Sequence, residues 1–151
     1  MKKLTAKLIR VLIAIVAVIA LSVLSVKAVR YGTKVATFNY VKSNTQQLTA
    51  EAERVIAEGV FAQHQFDGKT LTYYPSSPNP VVEFSTGGFG IAPSGYYTGF
   101  YYSPEDVPVR YYGHGTAMEE YKNGWAYADR GDNHGYTEKI CDNWYWYKFW
   151  F

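Results

Sequence analysis

Between Val11 and Val26 sixteen consecutive positions carry no charge, and all but Ser22 and Ser25 are apolar, behind a basic start of Lys2, Lys3, Lys7 and Arg10. Counted from Leu8, with Arg10 snorkelling along its aliphatic stem, the run is nineteen residues, about 28 Å of helix at roughly 1.5 Å per residue. A hydrocarbon core of about 30 Å is nearly matched, so the pattern predicts a transmembrane helix over residues 8–28. A secretory signal peptide also opens with basic residues and an apolar middle of about 7 to 15 residues before a small-residue cut. Val26-Lys27-Ala28 offers such a cut, yet the run exceeds that middle and Lys27 falls inside the triplet. The expectation is an uncleaved signal-anchor, with secretion after cleavage near Ala28 as the alternative.

Beyond the span the period becomes helical and amphipathic. Val35, Phe38 and Val41 are spaced as on one helix face. Asn44 and Gln47 then form a capping pair, and Leu48, Ala52, Val55 and Ile56 make an apolar stripe with Glu51, Glu53, Arg54 and Glu58 outside it. Gly59 suits the position just past a helix end. The stripe is narrow, so this helix is expected to lie across the domain that follows.

From Lys69 the period shortens to two. The β-favouring runs are Thr70 to Tyr74, Val81 to Thr86, Tyr97 to Ser103, Val107 to Tyr112, Ala117 to Tyr121, Trp125 to Arg130, and Tyr136 to Phe151. Pro75, Pro78 and Pro80 exclude a central strand between the first two, Ser103-Pro104-Glu105-Asp106 reads as a type I turn, and Asn123-Gly124 is a two-residue hairpin signal. The fold class is therefore α+β: a transmembrane helix, an amphipathic linker helix, and an antiparallel meander of about six or seven strands forming a curled sheet or partial barrel. The predicted division is a basic cytoplasmic flank at 1–7, the anchor at 8–28, a juxtamembrane helical stalk at 29–59 and an extracytoplasmic β domain at 60–151.

Charge sharpens this. The overall +2 conceals six Lys/Arg and no acid in residues 1–30, which leaves nine basic against thirteen acidic side chains, or −4, beyond them. Four basic residues before the span against Lys27, Arg30 and Lys34 after it keep the N-terminus in the cytoplasm. An acidic domain is repelled by phosphate backbones, which sets nucleic acid aside. Cys141 is the only cysteine, so no intrachain disulfide staples the fold. Aromatic residues supply the core instead: four Trp, thirteen Tyr and six Phe among the 86 positions from Phe66 to Phe151.

Alternation places Trp144, Trp146, Lys148 and Trp150 on one face of the last strand and Tyr145, Tyr147, Phe149 and Phe151 on the other. Both faces are aromatic. Either each is covered, or one is a platform able to stack on a glycan or a protein surface. The candidate binding residues are Trp144, Trp146, Trp150, Tyr101 and Tyr102. The partners expected are the lipid bilayer through residues 8–28 and a protein or glycan at the aromatic sheet face.

Catalytic chemistry has few carriers. Cys141 with His114 or His134 and Asp142, or an acidic pair among Glu119, Glu120, Asp129, Asp132, Glu138 and Asp142, would make a membrane-anchored hydrolase or transpeptidase. Asp129, Asp132 and Asn133 crowd one loop without the EF-hand spacing, and His64, His114 and His134 are not paired as in zinc sites. No metal or cofactor is expected, and the primary expectation is an interaction domain without catalysis.

Gly87-Gly88-Phe89-Gly90 is no phosphate loop, since Ala92-Pro93 follows where a helix would begin, and Arg130-Gly131-Asp132 is short enough to recur by chance. The aromatic ending is similar to the closing strand of outer-membrane barrels but lacks their alternation with polar residues. An anchor, a β domain and a late cysteine are similar in layout to sortases, the membrane-anchored transpeptidases. Their threonine-leucine run before the cysteine is absent, and no arginine follows Cys141. The apolar helix, amphipathic extension and sheet also resemble type IV pilins and pseudopilins in layout, without their glycine cut site followed by phenylalanine and a glutamate at the fifth mature position.

Overall fold

The structure, a computed structural model, describes residues 2–91, 94–129 and 133–151, and the side chains of these except at 2–11, 28, 31, 32 and 91. Its chain falls into two units, Met1–Ala36 and Thr37–Phe151. The helix α1 is assigned from Lys2 to Glu58.

In the first unit α1 presents apolar side chains outward: Leu12, Ile13, Ile15, Val16, Val18, Ile19, Leu21, Val23, Leu24 and Val26 are between 48% and 63% exposed. Its two hydroxyls are satisfied by the helix itself, Ser22 donating to the Val18 carbonyl and Ser25 to that of Leu21, each at 2.9 Å. Among the described residues no helix is long and apolar enough to cross a membrane. The part of the expected span before Leu12, and Ala28, lie outside the described side chains.

In the second unit the helix behaves as its stripe requires. Val41, Leu48, Ala52 and Val55 are fully buried, with Ile56 packed at the margin. Asn44 does not start the helix as predicted; it sits inside it at a kink (φ −121°, ψ 15°), with its amide donating to the Tyr40 carbonyl at 2.8 Å. The turn before it stays helical because Thr37 and Val41 are themselves buried. Gly59, at φ +65°, ends the helix, and its N–H returns to the Ile56 carbonyl at 3.0 Å.

Eight antiparallel strands follow: β1 Ala62–Phe66, β2 Lys69–Tyr73, β3 Val82–Ile91, β4 Ser94–Tyr102, β5 Glu119–Tyr121, β6 Gly124–Ala128, β7 His134–Cys141 and β8 Trp144–Trp150. They form one sheet in the order β1-β2-β3-β4-β8-β7-β6-β5. This departs from the predicted meander in several respects. The sheet is open, with β1 and β5 at its edges, so no barrel or partial barrel closes. Two four-stranded meanders meet where β4 pairs with β8, because the chain crosses to the far edge after β4 and works back. The long run predicted from Tyr136 to Phe151 is two strands reversed at Asp142-Asn143, where Asn143 adopts φ +65°. Val107 to Tyr112 is not a strand: it covers one face of the sheet and ends in a 3-10 turn at Tyr111–Gly113.

Strand alternation sorts the side chains into two cores. Leu71, Tyr73, Val82, Phe84, Phe100, Tyr102, Tyr136, Trp144 and Trp146 pack under the helix stripe. On the opposite face Val81, Tyr101, Tyr145, Tyr147 and Phe149 are covered by Val107, Val109 and Tyr111. Burial of large rings on both faces gives a small domain without disulfides the apolar area it needs.

Candidate functional site

Of the two alternatives the sequence leaves open for the aromatic faces, cover prevails: the candidate binding rings are largely interior. Trp144 is fully buried between Phe84, Phe100 and Tyr102, and its indole N–H donates to Thr49 Oγ1 on the helix at 3.1 Å. Trp146 is 7% exposed and meets Tyr136 edge-on. Trp150 is half-buried beside His134, with the Lys148 ammonium 5.5 Å from its ring centre. Tyr101 and Tyr102 are buried on opposite faces. Tyr101 stacks on Tyr145 at 5.3 Å and accepts the Val109 N–H at 2.9 Å. The physical reason is cover on both sides: the helix takes one face and the residues after Ser103 take the other, so β8 has no bare face.

Among the described residues the exposed aromatic side chains are Phe61, Phe89, Tyr97 and Tyr121, and two of them lie together at the far end of the β3–β4 hairpin. Phe89 is 68% exposed and Tyr97 40%. Phe89 meets Tyr96 at 5.7 Å across the hairpin, while Tyr97 lies on the other face near Tyr111 and Phe151. Local sequence builds this rim. Gly88 is opposite Tyr97, and a Cβ there would come within 2.8 Å of the tyrosine ring, so the glycine is what lets the ring lie flat on the strand. β2 stops pairing at Ser85, where a bulge interrupts β3 between Ser85 and Gly87. Beyond it Thr86 to Gly90 are exposed, and the hairpin projects with only β4 beside it. The run Gly87-Gly88-Phe89-Gly90 is thus strand, with an open edge and one large exposed ring.

A second feature, which sequence reasoning missed, is a buried acid. Glu83 is 4% exposed on the face covered by residues 103–118. Its Oε1 accepts the Tyr112 N–H at 3.0 Å, and the Tyr147 hydroxyl hydrogen-bonds the same carboxyl. Burial pushes the Glu83 pKa up to about 8 against these two bonds, so the group is held mostly protonated at neutral pH. Its aromatic neighbours Tyr147 and Tyr111 are themselves raised, first by burial and also by the Glu83 charge. Such a cluster stores a proton, but it lies beneath the covering loop. The only sequence signal was a carboxylate between Val82 and Phe84, just after Val81, in a run of β-favouring residues.

The other candidates are dispersed. Cys141 is half-buried, and burial raises its thiol pKa despite a hydrogen bond with Thr45, the reverse of what a nucleophile needs. His114 is exposed at the 3-10 turn, whereas His134 is packed against Trp150. Asp129 pairs with Arg110, Glu138 accepts from the Tyr136 hydroxyl at 2.8 Å, and Asp142 pairs with Lys139 at 3.3 Å. Glu119 and Glu120 are exposed on β5. Among the described residues no three His, Cys, Asp or Glu side chains are placed to hold a metal ion, and Asp132 with the Arg130-Gly131-Asp132 tripeptide lies outside them. A cleft of about 280 Å³ between Ile56, Tyr73, Pro78, Pro80, Ser103 and Val109 is small for a ligand site, since typical sites span roughly 300–1,000 Å³.

No family model, curated protein or solved structure matches the chain. Its class is therefore defined by its own architecture: an apolar helical unit and an α+β unit in which one helix and one loop sandwich an open eight-stranded sheet.

Proposed function

We propose that the chain is a single-pass membrane protein whose β unit is an extracytoplasmic interaction module, anchored through residues 8–28. The observation that carries this reading is the outward apolar face of the first unit, ten large aliphatic side chains from Leu12 to Val26 about half or more exposed. Water is a poor solvent for such a surface, and lipid a good one. Ser22 and Ser25, both bonded to backbone carbonyls, add no unsatisfied polar group. The described stretch from Leu12 to Val26 is about 22 Å of helix at roughly 1.5 Å per residue, and Leu8 to Val11 bring the sequence run to bilayer thickness. The four basic residues before the run favour an N-terminus in the cytoplasm.

For the β unit, the rim of exposed Phe89 and Tyr97, with half-buried Tyr96 beside Phe89, is the surface that supports partner contact, in place of Trp144, Trp146 and Tyr101. The competing class, an envelope hydrolase or transpeptidase working through Cys141, gains no support from a thiol whose pKa is raised by burial.

Fractionation of cells producing the full chain tests the anchor. The protein is expected in the membrane pellet, resistant to carbonate and released by detergent. Val16→Arg with Ile19→Arg, at about 2.5–3.5 kcal/mol per charge near a span's centre, is expected to move it to the soluble fraction. Recovery of the unaltered chain in the soluble fraction without detergent would overturn the reading. A reporter after Phe151 active only in the cytoplasm would overturn the orientation.

A further inference from the structure

We infer that the outer edge of β3 from Gly87 to Gly90 is a self-pairing edge, on which a second copy of this chain adds its own β3 antiparallel across a two-fold axis at Gly88. This rests on the interaction-module reading of the β unit and names its partner. Three observations carry it.

The first is an open ladder. β2 pairs with β3 only as far as Ser85 and Thr86 is the bulge residue, so among the described residues the main chain from Gly87 to Gly90 is paired on the β4 side alone. Such an edge is a ready template for another strand.

The second is the absence of charge and proline. The β5 end of the sheet, by contrast, is guarded by exposed Glu119 and Glu120 on a strand of three residues. The edge at Gly87-Gly88-Phe89-Gly90 has no charge and no proline. An identical strand meets no like-charge repulsion there, whereas two β5 edges would set glutamate near glutamate.

The third is steric self-complementarity. With Gly88 on the axis, each Phe89 stands opposite the second copy's Gly87, on the same face of the joined sheet. Gly87 has ordinary backbone geometry, and a Cβ there would meet nothing nearer than Thr98 Oγ1 at 3.8 Å, so the space above it is open. A ring laid over a cross-strand glycine is an arrangement the hairpin already uses once, where Tyr97 covers Gly88 on the other face. Pairing removes both Phe89 rings from water and leaves Tyr97 undisturbed.

Sedimentation of the full chain in detergent micelles, over a range of concentration, tests this separately from membrane attachment, which fractionation reads. Wild type is expected to reach a monomer–dimer equilibrium. Phe89→Lys and Gly87→Lys are each expected to raise the dissociation constant at least tenfold with an unchanged melting temperature, and Phe89→Tyr to keep the dimer. A wild type that stays monomeric, or a dimer that Phe89→Lys leaves intact, would overturn the inference. The first result would give the edge to another chain or a glycan, and the second would place self-association in the anchor helix.

Discussion

The Tyr112 amide, at φ +51° in the 3-10 turn, donates to the Glu83 carboxyl at 3.0 Å and so fastens the covering loop to the start of β3. Because burial raises the Glu83 pKa from its ordinary 4.5 to about 8, the folded state holds this proton more tightly than the unfolded chain does. The contribution is fully present below pH 4.5, declines as pH rises through the interval up to about 8, and is gone above it. The decline is at most about 1.4 kcal/mol per pH unit. Glu83→Gln keeps an acceptor for Tyr112 without the titration, and urea melts from pH 5 to 9 are expected to show a flatter stability profile than wild type.

Trp144 and Thr49 tie the sheet to the helix through one hydrogen bond at 3.1 Å. Thr49→Val leaves a buried indole N–H without its partner and is expected to cost about 1–2 kcal/mol. Trp144→Phe is expected to cost more, since it also opens space in a fully buried site. In a double-mutant cycle read by urea unfolding, the pair is expected to couple by about 1 kcal/mol.

Asp106 gathers the start of the loop onto the β7–β8 turn. Its carboxylate accepts from Lys139 at 2.6 Å, the Asn143 N–H at 2.9 Å and the Tyr145 hydroxyl at 3.0 Å. Burial opposes ionisation, but these donors outweigh it and hold the pKa below 3.8, so the contribution is complete above that value and fades as pH falls. The residue also sits at φ +52°, a conformation asparagine tolerates better than alanine. Asp106→Ala is expected to cost about 2 kcal/mol and Asp106→Asn about 1 kcal/mol in thermal melts, the exposed side of the group being screened by solvent.

Cys141 is expected to be a slow thiol. With its pKa raised by burial and its side chain against the helix at Thr45, labelling by a disulfide reagent at pH 7.5 is expected to be at least tenfold slower than in the urea-unfolded chain. Cys141→Ser is expected to leave the fold intact.

What could be read from the sequence was whatever has a short period or a local cause. The two faces of β8, the helix stripe of Leu48, Ala52 and Val55 and the Gly59 stop all follow from neighbours within a few residues, as does a hairpin near Asn123-Gly124, although its turn residues are Lys122, at φ +56°, and Asn123, and Gly124 opens β6. β1 was missed although Asp67-Gly68, at φ +46° and +71°, is the same kind of hairpin signal, because Gln63, His64 and Gln65 dilute its β-favouring pattern. Val107 to Tyr112 reads as strand but pairs with no ladder, since Val109 spends its N–H on the Tyr101 hydroxyl. Whether the tryptophans were open or covered depended on that loop and the helix, both distant in sequence. The open stretch of β3 depended on how far β2 reaches. Neither is a property of the residues themselves.

The strand order carries a consequence for biogenesis. β8, the middle plank of the sheet, is the last of the eight to be synthesised, and until it arrives β4 presents a bare aromatic flank from Tyr96 to Tyr102. The two meanders therefore join into one sheet only when Trp144 to Trp150 arrive. A nascent chain stalled before Asn143 is a natural client for a holding chaperone.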